Sequence, residues 1–369
     1  MDFNFYHKYD GIPKDEWETF SNNGLFLSKD FLKTFEYKMD DKFSSVYIVA
    51  KIESRVVGIV YAQIFKLNSK KINEYIKHGN PRLTLLNRFK LILSKLLNFK
   101  VCFLGNLFMS NVSSFYFNIR LKPSDLSKIL QQLSNFSGTR FIMIPEFFKN
   151  FIPLNSWNFK SLYVEPDMCM KISPKWNHFD DYVNDIQSKY KKKLRKVLYN
   201  STNLEIRELE IEDLKLYHKQ INKLFDNVFY NSSFNALKFK TYFLTLLIKN
   251  KINISVQGYF IENELHAFSS SIVHKNKLYV YFMGLNYALN KVYDIYSKML
   301  YDKIKYAINH RLDEIKFGRT ASEFKSNFGA QPVYNRAYIY SNSNLLIMII
   351  SPFINLINPK NWIQRNPFK

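Results

Sequence analysis

Residues Asp313 to Pro332 read DEIKFGRTASEFKSNFGAQP. An alternating strand in this stretch ends in a polar turn and runs straight into a basic helix, so Arg319, Thr320 and Lys325 are expected around one anionic group. Upstream, Val292 to Ile308 carries apolar or aromatic residues at 292, 295, 296, 299, 300, 304 and 308, which is a helical stripe. Before that helix, Lys277 to Gly284 reads as a strand rich in Tyr and Val. Strand, helix, strand, helix, with polar residues gathered at strand ends, is the layout of an α/β site.

Working outward, strands are expected from about Ile252 to Ile261 and from Leu265 to His274, joined by the tight ENE turn, with the KNK turn leading into Lys277. Two helices, Ile211 to Tyr230 and Ala236 to Asn250, carry aromatic and leucine stripes. A longer helix from Phe179 to Tyr199 sets apolar positions 182, 186, 190, 194 and 197 on one face, leaving Lys189, Lys192, Lys193 and Lys196 largely off it. In the first half, Ser45 to Lys51, Arg55 to Leu67, Lys100 to Phe108 and Thr139 to Pro145 read as strands, and Ser124 to Phe136 as a helix.

The order strand, helix, strand, FGR, EFKSNFG and a last strand from Val333 to Tyr340 resembles the C-terminal half of a GNAT acyltransferase domain. EFKSNFGAQP is similar to the phenylalanine-lysine, aromatic-glycine signature of the FemABX-type branch, and SKYKKKLRKV (Ser188 to Val197) to the basic helix that opens its second domain. The resemblance extends from about Met168 to Tyr340 and implies two α/β (α+β) GNAT-like domains, each a mixed, mostly antiparallel sheet flanked by helices. A degenerate first domain is expected over 1–165, an acyltransferase domain over 166–340, and an apolar, basic tail over 341–369.

In such a domain the thioester lies where two strands diverge, which implies donor contacts from the backbone around Tyr281, Phe282 and Met283, with Gly284 and Tyr293 alongside. Acetyl-CoA-binding members carry a glycine-containing turn at the start of the following helix, because backbone N–H groups must closely approach the pyrophosphate. GLNYALNKVYDIYS has no glycine after Gly284. That favours a donor other than acyl-CoA, such as an aminoacyl-tRNA, or else a CoA mode that needs no glycines. Alignment on Phe324 and Gly329 puts Lys325 where the family places a proton-donating tyrosine, so Lys325 is expected to stabilise an anion, with Arg319 and Thr320 beside it. Tyr281, Tyr293, Tyr296 and Tyr301 flank the cleft as proton donors or as core aromatics, and Tyr281 and Tyr296 join Lys325 as catalytic candidates. Lys189 and Lys193 are candidate anion contacts. Glu323 reads as a base or, through TASE, as half of a capping box on Thr320. His266 and His274, at the two ends of one strand, read as structural or surface residues.

The chain has 369 residues, of which 47% are hydrophobic and 17% aromatic, with 10 Gly and 11 Pro; this excludes disorder and collagen-like repeats. Its 53 Lys and Arg against 31 Asp and Glu give a formal charge of +22 and call for an anionic partner such as nucleic acid, a phospholipid surface or a nucleotide-linked precursor. Two cysteines, Cys102 and Cys169, argue for a reducing cytoplasm and against a disulfide framework. No metal-ligand spacing stands out, no secretory leader is evident, and no stretch reaches a bilayer-spanning length. Leu83 to Leu97 has the pattern of an amphipathic helix, resting on the core or on a membrane, and Leu345 to Ile357 is an apolar run broken by Pro352.

The sequence therefore points to an N-acyltransferase moving an acyl or aminoacyl group from acyl-CoA or aminoacyl-tRNA to an amine, either a small molecule or a lipid-linked cell-envelope precursor. A cytoplasmic protein at the inner face of the membrane fits that reading. The alternative is a non-catalytic basic scaffold that binds nucleic acid or an anionic membrane.

Overall fold

The computed structural model describes residues 1–13, 15–21, 24–36, 43–67, 99–153, 156–232, 238–354, 359 and 361–369. The expected helix Leu83 to Leu97 lies outside them. Fifteen strands follow in chain order: β1 Asp2–Tyr6, β2 Phe43–Ile52, β3 Arg55–Leu67, β4 Phe99–Phe103, β5 Phe115–Phe117, β6 Phe141–Ile144, β7 Phe159–Tyr163, β8 Asp167–Lys171, β9 Glu205–Glu208, β10 Ile254–Ile261, β11 Glu264–His274, β12 Lys277–Leu285, β13 Glu314–Gly318, β14 Gln331–Val333 and β15 Arg336–Tyr340. They form two mixed sheets in two compact units. One unit comprises Met1–Glu165, Ser233–Leu237 and Asn335–Lys360; the other comprises Pro166–Ser232, Lys238–Tyr334 and Asn361–Lys369.

In the first unit the order is β1-β2-β3-β4-β6-β15-β7, with β5 also on β3. Only β4 and β6 run parallel, joined by the crossover helix Pro123–Ser137. That helix buries Leu126, Ile129, Leu130 and Leu133, at the i, i+3, i+4, i+7 spacing, against Val46, Ile48, Val60 and Ala62 of the sheet. It ends at Gly138, whose left-handed φ of 64° closes the last turn.

The second sheet repeats the plan in the order β14-β8-β13-β12-β11-β10-β9. β10, β11 and β12 are antiparallel, and the crossover helix Ile295–Asn309 carries the chain to β13, parallel to β12. The helix buries Leu300, Ile304, Ala307 and Ile308 over Leu278 and Ile315, and Ile295 and Met299 with Tyr259, Ala267 and Leu285. It also buries Lys303, whose Nζ donates to Gln257 Oε1 at 3.0 Å and Ser271 Oγ at 3.2 Å. Burial lowers the Lys303 pKa to about 8, against the opposing pull of Glu208 and Asp302.

Two expectations are corrected here. The strand expected from Val333 to Tyr340 is divided: Gln331–Val333 pairs with β8, whereas Arg336–Tyr340 inserts between β6 and β7 of the other sheet. The helix expected from Phe179 to Tyr199 breaks into Phe179–Asp185 and Ser188–Asn200. No Gly or Pro causes the break. Ile186 and Gln187 are extended there, with ψ of 151° and 155°, and the segment at Pro367 and Phe368 meets them: Ile186 bridges to Phe368, and Gln187 N–H donates to Pro367 O at 2.8 Å.

Candidate active site

β12 and β13 are paired at Lys277 with Glu314, Leu278 with Ile315 and Tyr279 with Lys316, and there the ladder stops. β12 runs on to Leu285 and β13 to Gly318. From Val280 onward the β12 edge has therefore parted from β13. The corresponding pair in the first unit stays closed: β4 is bonded through Phe103 opposite Met143, and Leu104 N–H still reaches Met143 O at 2.8 Å.

A β-bulge shapes the parted strand. Between Ser269 opposite Met283 and Ser271 opposite Val280, the single Ser270 faces both Tyr281 and Phe282, and Ser270 Oγ donates to Phe282 O at 2.7 Å. Phe282 stacks on Phe239 at 3.8 Å, and Tyr281 meets the same ring edge-on at 5.6 Å. The Tyr281 hydroxyl is buried with no hydrogen-bond partner among the described residues, and burial drives its pKa far up, so it persists as a neutral donor. Met283 packs with Ile295 and Met299, and Tyr293 borders the same cluster. At Gly284 an added Cβ would sit 2.7 Å from the backbone of Leu224 and Phe225, so this glycine lets the helix His218–Asn231 lie directly on β12.

The corner after β13 is strained. Gly318, Thr320 and Ala321 have φ of 72°, 69° and 50°, and the last two carry a Cβ in the left-handed region, Thr320 a branched one. Lys325, 5% exposed on the short helix Ser322–Ser326, holds this corner. Its Nζ donates to the carbonyls of Phe317, Gly318 and Arg319 at 2.8, 3.1 and 2.8 Å. An ammonium has three donors, so Lys325 clamps the main chain, in place of the anion contact expected of it. Arg319 likewise turns to a carboxylate, with Nε 3.2 Å from Oδ2 of Asp167, a residue whose side chain is 2% exposed. Thr320 cannot open a capping box from a left-handed conformation. Glu323 pairs instead with Arg365, whose hydrogen bond holds the Glu323 pKa below the usual carboxylate range.

Around this corner, Tyr296 stacks on Phe324 at 5.0 Å, and burial pushes its phenol pKa up. Tyr301 is buried against Phe328 at 4.6 Å, a core aromatic. The helix Ser188–Asn200 buries Tyr190, Leu194 and Val197 and exposes Lys189, Lys192, Lys193, Arg195 and Lys196. Lys189 and Lys193 sit over the Tyr190 ring at 4.9 and 5.4 Å, and Lys193 reaches Asn327 Oδ1 at 3.5 Å, which ties the basic face to the corner. Lys192 and Lys196 point outward, off the apolar face as the spacing predicts, and Arg195 joins them, with Tyr199 81% exposed one turn on.

The helix starts beyond β12 are occupied by the chain itself. Asn286 Oδ1 accepts from the N–H groups of Ala288 and Leu289, and Asn290 Oδ1 takes Tyr296 N–H at 2.8 Å. Asp294 stands at the start of the crossover helix, with its carboxylate bonded to Asn200 Nδ2 at 2.7 Å. Donors that would cradle a pyrophosphate are used, and a carboxylate stands among them. Among the described residues, no group of three His, Cys, Asp or Glu is placed to hold a metal ion, and no helix is long and apolar enough to cross a membrane.

No protein-family model matches the sequence, and no curated protein matches it. Solved structures do. FemX superposes with a TM-score of 0.53 at 12% identity, over 94% of this chain and 99% of its own. A conserved protein of unknown function from Bacteroides thetaiotaomicron VPI-5482 gives 0.49 at 8% identity, over 92% and 100%. A probable N-acyltransferase from Enterococcus faecalis V583 gives 0.43 at 10%, over 92% and 72%. This chain resembles the first of these over nearly its whole length, and its fold, two mixed sheets each with one parallel pair bridged by a crossover helix, is GNAT-like and similar to that of FemX.

Proposed function

We propose that the protein is an N-acyltransferase whose second unit takes an aminoacyl group from aminoacyl-tRNA and passes it to an amine. The observation that carries this reading is the parting of β12 from β13 after Tyr279, in a fold whose first unit keeps the matching strands joined. The capped helix starts and Asp294 weigh against a coenzyme pyrophosphate, whereas the exposed cations of Ser188–Asn200 suit the phosphates of an RNA acceptor end. The acceptor nitrogen attacks the ester carbonyl, main-chain N–H groups along the parted β12 edge receive the oxyanion, and the C–O bond to the ribose breaks as the tetrahedral centre collapses. Tyr281, neutral and with no hydrogen-bond partner for its hydroxyl among the described residues, is the donor we assign to the departing ribose oxygen, and its phenolate takes back the proton that the acceptor nitrogen sheds. The acceptor is an amine on a small molecule or on a cell-envelope precursor.

Incubation with aminoacyl-tRNA labelled on the amino acid, set beside acetyl-CoA and an amine panel, tests this. Label should move from tRNA to an amine, and Lys192→Glu with Lys196→Glu should weaken tRNA binding with a shallower salt dependence. Saturable acetyl-CoA binding without tRNA binding would sink it. Because Lys325 and Arg319 are both engaged within the protein, a second reading stands: a basic scaffold that holds tRNA without turnover. Binding that persists with no label transfer to any amine supports that second reading.

A further inference from the structure

The helix Asn344–Ile354 in the first unit contains no charged residue. On its inner side Ile347 is buried, and Ile350 and Ile354 pack with Leu162 of β7, Val164 just past it, and Ala337 and Ile339 of β15. Its outer side is apolar as well: Leu345, Met348 and Ile349 are 64%, 66% and 53% exposed, and Pro352 is exposed on the same stripe, at i, i+3, i+4 and i+7. Trp157, 80% exposed, stands beside the first turn, because Asn158 Nδ2 donates to Ser341 O at 2.8 Å and Ser341 N–H returns to Asn158 O.

Charge tells what covers this face. Residues 147–164, which lead from Glu146 through Trp157 and β7 to Glu165, contain Lys149 and Lys160 and no acid, and residues 335–360 contain Arg336 and Lys360 and no acid. Lys160 alternates with Leu162 and Val164, which places it on the helix side of the sheet. We infer that the outer face of Asn344–Ile354, with Trp157, docks on an anionic phospholipid surface. The helix lies in the plane of the interface, with its apolar stripe among the acyl chains and the cations of the flanking segments against the headgroups. Two helical turns and one indole fall short of the roughly 800 Å² per partner that a stable protein interface buries, whereas a bilayer needs only a few apolar anchors and cations. Trp at the boundary fits, since its ring is apolar and its N–H is wet. None of this uses the cleft residues.

Flotation of the full chain with phosphatidylcholine vesicles, with and without phosphatidylglycerol, tests the assignment. The expected result is at least about tenfold stronger partitioning onto the anionic vesicles, weakened by salt. Met348→Asp with Ile349→Asp should cut it by about tenfold or more while circular dichroism and melting stay unchanged, both sites being exposed. A vesicle-induced blue shift of fluorescence, lost in Trp157→Phe, would place the indole at the interface. The inference is overturned by partitioning indifferent to the anionic lipid or to the double substitution. It is equally overturned if the wild type is a dimer in light scattering that the substitutions dissociate, because a second copy then covers the face.

Discussion

Replacing Lys325 by Met keeps the apolar stem and removes the ammonium that three carbonyls share. Each bond to a charged donor is worth about 1.5–3 kcal/mol, but the three share one donor and do not add. The loss of a buried charged partner, at about 3–5 kcal/mol, sets the scale. The corner it releases also contains Thr320 and Ala321 in left-handed conformations, which persist only while their surroundings hold them. For a unit of this size the expected fall in melting temperature is on the order of 10 °C, with faster amide exchange confined to residues around 317–329. Calorimetry and hydrogen exchange read both. A Lys325→Met protein that melts with the wild type yet has lost substrate binding would refute the clamp and return the ammonium to substrate chemistry.

Lys303 supplies a pH test. Its folded pKa of about 8 lies below its unfolded value, so the folded state binds fewer protons between about pH 8 and 10.5, and stability should climb with pH across that window by about 3 kcal/mol in full. Denaturant midpoints at both ends, compared with Lys303→Met, isolate the effect; an identical climb in the variant would refute it. Tyr281→Phe removes a buried hydroxyl that lacks a partner and should leave stability unchanged or raise it by about 1 kcal/mol, while aminoacyl transfer falls at least tenfold; unchanged transfer would remove Tyr281 from the chemistry. Gly284→Ala drives a methyl into the backbone at Leu224 and Phe225 and should cost about 2–4 kcal/mol; a melt within a degree of wild type would show that the helix can give way.

Elements whose fate is decided locally were legible in the sequence. The hairpins β10–β11 and β11–β12 and the crossover helix follow from alternation, short turns and a clear apolar stripe. Long-range pairing was not, because nothing in RAYIY says which of two sheets its main chain will join. The site shows the same division. The order of strands pointed to where β12 and β13 part, but a lysine in a sequence does not reveal whether its donors meet carbonyls, as those of Lys325 do, or solvent. Gly284 was expected beside the donor, and the backbone packed closely on it belongs to a helix about sixty residues earlier.

The insertion of β15 between β6 and β7 bears on how the protein is made. Among the described residues β7 has no neighbour in its sheet other than β15, so during synthesis it waits for residue 340. At ordinary ribosomal rates that delay is on the order of ten to thirty seconds. The other unit waits longer still, for Phe368 to reach Ile186. Neither unit can be completed as an uninterrupted gene fragment, and a nascent chain stalled near residue 330 would present β6 and β7 as unzipped edges, open to chaperones and to one another.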